Sequence, residues 1–268
     1  MAITKRDATT DQRVIQDLKA LGFSDDIQER PRRLIVSLSG PAKTGKTHFA
    51  LTAPSPIFFI NIDIGTEGVL DKFQAEGKKI YCLDVRVPKT TKSEKDRSDI
   101  YVPMWGNLKV VFARVYGMGS GTVIVDTDTE AYELARLAKF GKLTQVMPHN
   151  YQEVNNEFRE VLRLAFDSPM NTIFIHKVKP KWVNNARTSE FEVSGPSDIE
   201  YNVQANLETR RMDTEDGTVF CVYIKDCRQN PSLAGTLMQG LPLQSGEART
   251  EDPLCNFEML LSMVHVTH

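Results

Sequence analysis

Residues 34–47 read LIVSLSGPAKTGKT, and no other stretch constrains the fold as tightly. An apolar, β-branched run (Leu34, Ile35, Val36, Leu38) enters the loop Gly40-Pro41-Ala42-Lys43-Thr44-Gly45-Lys46-Thr47. This is G-x-x-x-x-G-K-T, a phosphate-cradling loop in its required setting, with a buried strand before it and a helix from His48 onward. Glycines at 40 and 45 let the backbone curl so that several N–H groups converge on one anion. The helix adds its N-terminal dipole to the same anion. The spacing predicts that Lys46 reaches the β- and γ-phosphates of a nucleotide and that the Thr47 hydroxyl ligates Mg²⁺.

At 268 residues the chain suits one large α/β domain with appendages. A net charge of −2 requires any nucleic-acid surface to be a local patch rather than a property of the whole molecule. No apolar run approaches the length of a membrane span, and the N-terminus lacks the apolar core of a signal peptide, so a cytosolic location is expected. The four cysteines, Cys82, Cys221, Cys227 and Cys255, form no C-x-x-C pair; they are expected to be buried free thiols, with no structural zinc site.

Residues 1–33 form a polar leader in which 11–21 has helical apolar spacing (Val14, Ile15, Leu18, Leu21) ended by Gly22. Such a helix either packs on its own domain or reaches a neighbouring subunit. The domain proper is expected over 34–268. Residues 57–63 are a continuous apolar strand, as a parallel sheet buried on both faces demands, and they deliver Asp63 to its edge, followed by Gly65, Glu67 and Gly68. A third strand spans 79–85. The loop 86–99 holds Lys89, Lys92, Lys95 and Arg97 and reads as a solvated loop or a polyanion contact. Trp105, Leu108, Val111, Phe112 and Val115 make a core-facing helical stripe over 104–116. Residues 122–126 then form an apolar strand ending in Asp126, whose carboxylate is expected to hold the Mg²⁺ shell opposite Thr47.

Helices are predicted over 130–140 and 151–166, and a buried strand over 172–175 ends at His176, either a core histidine or a ligand-side one. Residues 177–197 read as a basic loop (Lys177, Lys179, Lys181, Trp182, Arg187). Residues 198–209 alternate strictly, with Ile199, Tyr201, Val203, Ala205 and Leu207 on one face. Asp216-Gly217 turns the chain into 219–225, an antiparallel hairpin beside the parallel sheet that closes in Lys225-Asp226-Cys227-Arg228. Phe257, Leu260, Leu261 and Val264 form a last apolar stripe.

Several nucleotide-binding branches fail on sequence. A GTP switch needs N-K-x-D on a late strand, where this chain has Ile175-His176-Lys177; an Arg-rich kinase lid is not evident; a packaging motor would need room for a nuclease domain. What remains resembles the RecA-like core ATPases, the group of strand-exchange recombinases and clock ATPases. The resemblance rests on the Gly40–Thr47 loop, the acidic end of the second strand, Asp126-Thr127, His176 and the cationic end of the hairpin, across roughly residues 34–235. More narrowly, GPAKTGKT, NIDIGTEG and VIVDTDTE look like compact phage-encoded RecA-like ATPases, some of them single-strand annealing proteins.

The resemblance implies a three-layer α/β sandwich, mainly parallel with an antiparallel hairpin extension, that binds ATP and Mg²⁺ and works as an oligomer. It implies that Glu67 or Asp63 activates the attacking water, with Asp128 as a third candidate. By the same resemblance His176 senses the γ-phosphate and relays it to the loop carrying Lys177, Lys179, Lys181, Trp182 and Arg187, which contacts single-stranded DNA. Cations with one aromatic suit backbone tracking with base stacking. Lys225 and Arg228 resemble cations inserted into a neighbour's ATP. The implied function is ATP hydrolysis coupled to single-stranded DNA in recombination or annealing, with a recombination or replication protein as a further partner. The alternatives are a nucleotide-regulated protein-interaction module without DNA binding, and a helicase or loader motor.

Overall fold

The computed structural model describes residues 8–23, 33–63, 65–66, 68–88, 97–141, 147, 150–183, 186–196, 198–244, 247 and 249–265. The chain divides into two units, 1–31 and 32–268. The first contains helix α1 (Ala8–Ala20), which stops at Gly22, where φ is +90°.

In the second unit the apolar runs gather into one sheet. Its strands are β1 (Ile35–Ser39), β2 (Ile57–Asn61), β3 (Ile80–Asp84), β4 (Thr122–Asp126), β5 (Asn171–Ile175), β8 (Ala205–Thr214), β9 (Gly217–Cys227) and β10 (Leu237–Gln239). The order is β10-β9-β8-β1-β5-β4-β2-β3. The pairs from β8 through to β3 are parallel, and β9 and β10 add antiparallel strands at one end. Strand β5 separates the phosphate-loop strand β1 from the acid-bearing strand β4, and the register places Asp126 level with Ile175 and Leu38. The carboxyl ends of β1, β2, β4 and β5 therefore open at one edge, where an α/β sheet binds its ligand.

Helices cover both faces. Phe49 and Leu51 of α2 (Lys46–Leu51), Phe73 of α3 (Leu70–Ala75) and Phe257 and Leu260 of the C-terminal helix α8 (Phe257–Val264) pack on one face. On the other lie α4 (Val102–Tyr116), α5 (Asp128–Phe140) and α6 (Tyr151–Asp167), with Trp105 stacked on Phe158. The result is a three-layer α/β arrangement, mainly parallel with antiparallel strands at one end. Strands buried on both faces need not alternate in polarity, and β1, β4 and β5 are buried at every position.

Three expectations are corrected. Residues 198–209 are not one strand: Ile199–Asn202 forms the short helix α7, and β8 begins at Ala205. Ile199 and Val203 are buried while Tyr201 is 82% exposed. Positions i and i+4 share a face in a helix as well as in a strand, so the period-two reading was ambiguous there. Residues 177–197 are not a loop: β6 (Lys177–Val183) and β7 (Ala186–Ser194) pair antiparallel as a separate two-stranded sheet. Cys82 is exposed, because β3 is the sheet edge; the other three cysteines are buried and free. Lys89, Lys92 and Lys95 lie outside the described residues. Among the described residues no helix is long and apolar enough to cross a membrane.

Candidate functional site

The phosphate loop leaves β1 at Gly40, where φ is +150° and a Cβ would stand 2.3 Å from Thr209 Oγ1 and 2.8 Å from its carbonyl. Only glycine fits so close to β8. Gly45 takes φ +90°, and Lys43 between them takes φ +63°. The loop is braced from inside: Thr44 Oγ1 lies 2.8 Å from the Pro41 carbonyl and 2.6 Å from Thr209 Oγ1. Lys46 Nζ donates to the carbonyls of Gly40 (2.8 Å) and Pro41 (2.7 Å), which holds its charge at the mouth of the curl. Burial lowers its pKa, against the pull of Asp126 and Asp63.

Thr47 and Asp126, far apart in sequence, meet here: Thr47 Oγ1 donates to Asp126 Oδ2 at 2.8 Å. Asp126 is 4% exposed, and burial pushes its pKa up to about 6 despite the Thr47 hydroxyl. A hydroxyl and one carboxylate fit a Mg²⁺ ion that keeps waters and takes its remaining oxygens from a nucleotide's phosphates. Such an ion must displace the Asp126 proton. Apparent Mg²⁺ affinity is therefore expected to fall about tenfold per pH unit below about pH 6, and to flatten above it. Metal titrations of the nucleotide-loaded protein between pH 5 and 8 check this; a flat profile would remove Asp126 from the metal shell.

The acids around this pair differ sharply. Asp63 is fixed beside Asp126 by its backbone N–H, 3.1 Å from the Asp126 carbonyl. Its Oδ2 lies 3.1 Å from Lys177 Nζ, and Glu130 Oε1 is 2.8 Å from the same ammonium. Glu67 lies outside the described residues. Asp128, the third base candidate, is 1% exposed, and burial raises its pKa well above its ordinary value. His176, expected to sense a γ-phosphate, lies in the interior. It is wholly buried, its pKa is pushed down to about 3, and its Nδ1 faces Asp128 Oδ2 at 3.6 Å, not the phosphate loop. Gly195 closes over the ring; a Cβ there would stand 3.4 Å from Nδ1.

Lys177 instead reaches the acids, and Glu130 was not singled out from sequence; its one available signal was its place in the first turn after Asp126. Lys179 pairs with Glu192 (3.2 Å) and Lys181 with Glu190 (2.9 Å) across the β6–β7 hairpin, and Trp182 stands opposite Arg187 in register. Lys225 and Arg228 lie at the other end of the sheet, where Cys227 is level with Ala205. Lys225 Nζ is 2.5 Å from Glu200 Oε1, and Arg228 donates to the Tyr201 carbonyl at 2.7 Å. Within this chain they do not join the phosphate loop.

Beside the loop opens a cleft of about 880 Å³, walled by residues 43–49, Phe220, Val222, Leu241, Leu243 and Arg249. The tail forms its outer wall because Leu241 N–H donates to Asp252 (2.7 Å) and Phe257 N–H to Thr52 Oγ1 (2.8 Å). A family model described as an AAA domain matches residues 32–210. The chain belongs to that family. The matched span holds the phosphate loop, Asp63, Asp126 and Lys177. Among solved structures, the crystal structure of a KaiC-like protein from the hyperthermophilic archaeon Pyrococcus horikoshii OT3 is similar at 12% identity, with a TM-score of 0.42, over 78% of this chain and 85% of that one. No curated protein matches the chain.

Proposed function

We propose that the protein is a Mg²⁺-dependent ATPase that works on single-stranded DNA in recombination or annealing, assembled from identical subunits, in the manner of phage-encoded RecA-like proteins. Lys46 holds the β- and γ-phosphates, Thr47 and Asp126 the metal, and Asp63 or Glu67 orders the attacking water. Lys225 and Arg228, remote from their own chain's loop, serve a neighbour's nucleotide.

One observation carries the DNA part of this reading. The first residue of the β6–β7 hairpin, Lys177, is ion-paired to Asp63 beside the metal pair, so a basic hairpin begins in the nucleotide site. Lys179, Lys181 and Arg187 extend along that hairpin into solvent. Their pairs with Glu192 and Glu190 are exposed and screened by water, so a phosphate backbone competes for them.

Steady-state ATP hydrolysis at low salt, with and without a single-stranded oligonucleotide, tests the reading, because phosphate contacts weaken steeply with ionic strength. The oligonucleotide is expected to stimulate turnover. A triple Lys179→Ala, Lys181→Ala, Arg187→Ala variant is expected to lose most of that stimulation and keep the DNA-free rate. Turnover indifferent to DNA at every salt concentration would overturn the coupling. The second reading, a nucleotide-regulated protein-interaction module, would then stand, and the acids facing Lys179 and Lys181 favour it by partly neutralising the hairpin.

A further inference from the structure

Both feet of the β6–β7 hairpin are fastened to two consecutive residues of α5. Thr129 Oγ1 accepts from the Lys177 backbone N–H at 3.0 Å and donates to the Ser194 carbonyl. Lys177 and Ser194 are the register partners at the base of the hairpin, so one hydroxyl ties the strand that leaves and the strand that returns. The next residue, Glu130, accepts from Lys177 Nζ at 2.8 Å. These two residues open α5, whose first turn is capped by Thr127, the neighbour of Asp126, accepting from the Glu130 N–H. Thr127 and Thr129 fix this turn at one end to the metal strand and at the other to the hairpin.

A single side chain must here accept one hydrogen bond and donate another. Serine and threonine do both; valine, of similar shape, does neither. The Lys177 ammonium sits between Asp63 and Glu130, near enough to Lys46 and Asp126 to influence their protonation. Added phosphate charge and a divalent ion change the field on that ammonium, and Lys177 is joined to α5 through both its backbone and its side chain.

We infer that Thr129 and Glu130 are positioning residues that transmit the state of the nucleotide site to the feet of the β6–β7 hairpin, with Lys177 as the moving contact. The inference rests on the nucleotide-site reading above but not on DNA being the hairpin's ligand. Binding of Mg²⁺ and nucleotide redistributes the Lys177 contacts between Asp63 and Glu130, and the Thr129 clamp converts that shift into a changed opening equilibrium for both strands at once.

Amide hydrogen exchange read peptide by peptide, with and without Mg²⁺ and a slowly hydrolysed ATP analogue and with no DNA present, tests this. In the parent protein the nucleotide is expected to change exchange in residues 177–194 by roughly tenfold, alongside protection of residues 40–50. Thr129→Ser is expected to keep both responses. Thr129→Val is expected to keep the protection of 40–50 and lose the hairpin response. Glu130→Gln, which keeps the side-chain shape and removes the charge, is expected to reduce the hairpin response severalfold, and it serves if Thr129→Val fails to fold. A hairpin that responds in Thr129→Val and Glu130→Gln as in the parent, or a parent hairpin that ignores nucleotide while 40–50 is protected, would overturn the inference. Absence of protection at 40–50 in the parent would instead overturn the nucleotide-site reading itself.

Discussion

Lys46→Ala is expected to lower ATP turnover by roughly 10²–10³-fold, the usual cost of removing one preorganised electrostatic donor from a reacting phosphoryl group or oxyanion. The ammonium already stands at the mouth of the loop, held by the Gly40 and Pro41 carbonyls, so its position costs little reorganisation when phosphates arrive. Burial has partly stripped its water, which strengthens its attraction for an incoming anion. Stability should fall only modestly: Pro41 is exposed, so its freed carbonyl meets water, while the carbonyl of buried Gly40 loses a partner. Lys46→Arg is expected to be nearly as damaging, because a planar fork does not replace a compact point charge inside so tight a curl. Steady-state hydrolysis and nucleotide-binding titrations, each referred to the melting temperature of the same preparation, check the result. Turnover within threefold of the parent would show that phosphate is bound elsewhere.

The loop was legible in the sequence because its requirements are local. Gly40 must be glycine for the close approach to Thr209, and the strand before it must be apolar because helices cover both faces of the sheet. The same logic made β2, β4 and β5 readable, and it carried Asp126 to the right edge of the sheet. What depends on contacts between distant segments was not legible. A histidine at the end of β5 has the same sequence context whether it faces a phosphate or lies under Gly195, and only the path of β7 decides that.

The hairpin failed to show for a related reason. Lysines at 177, 179 and 181 read as a basic loop until Glu190 and Glu192 are set opposite them, and Pro180 breaks the strand pattern just where the register shifts. Alternating lysines followed by alternating glutamates at matching spacing was the available signal, since opposite charges face each other across antiparallel strands. The outer wall of the nucleotide cleft carried no comparable signal. Leu241 and Leu243 are isolated in a run of turn residues, and their role comes from the Asp252 and Thr52 contacts that fold the tail back.

Asp126→Asn is expected to stabilise the fold while disabling the site. The native carboxyl titrates near 6, above its ordinary 3.8, because burial disfavours the anion. Between those two values the folded state binds more protons than the unfolded chain, so native stability from this group falls as pH rises from about 4 to about 6, and the full penalty applies above that. A shift of about two units corresponds to at most about 3 kcal/mol near neutral pH, at about 1.4 kcal/mol per unit. Asparagine keeps an acceptor for the Thr47 hydroxyl and carries no charge. A gain of about 1–3 kcal/mol is expected, raising the melting temperature by several degrees near pH 7.5 and fading toward pH 4. Mg²⁺-dependent turnover should fall by roughly 10²-fold, since the metal loses its one anionic protein ligand on this strand. An unchanged or lowered melting temperature would mean that Lys46 and Lys177 already compensate the buried charge. In that case the carboxylate is held by its cations rather than strained by its surroundings, and nucleotide phosphates arriving at Lys46 would compete with Asp126 for that ammonium.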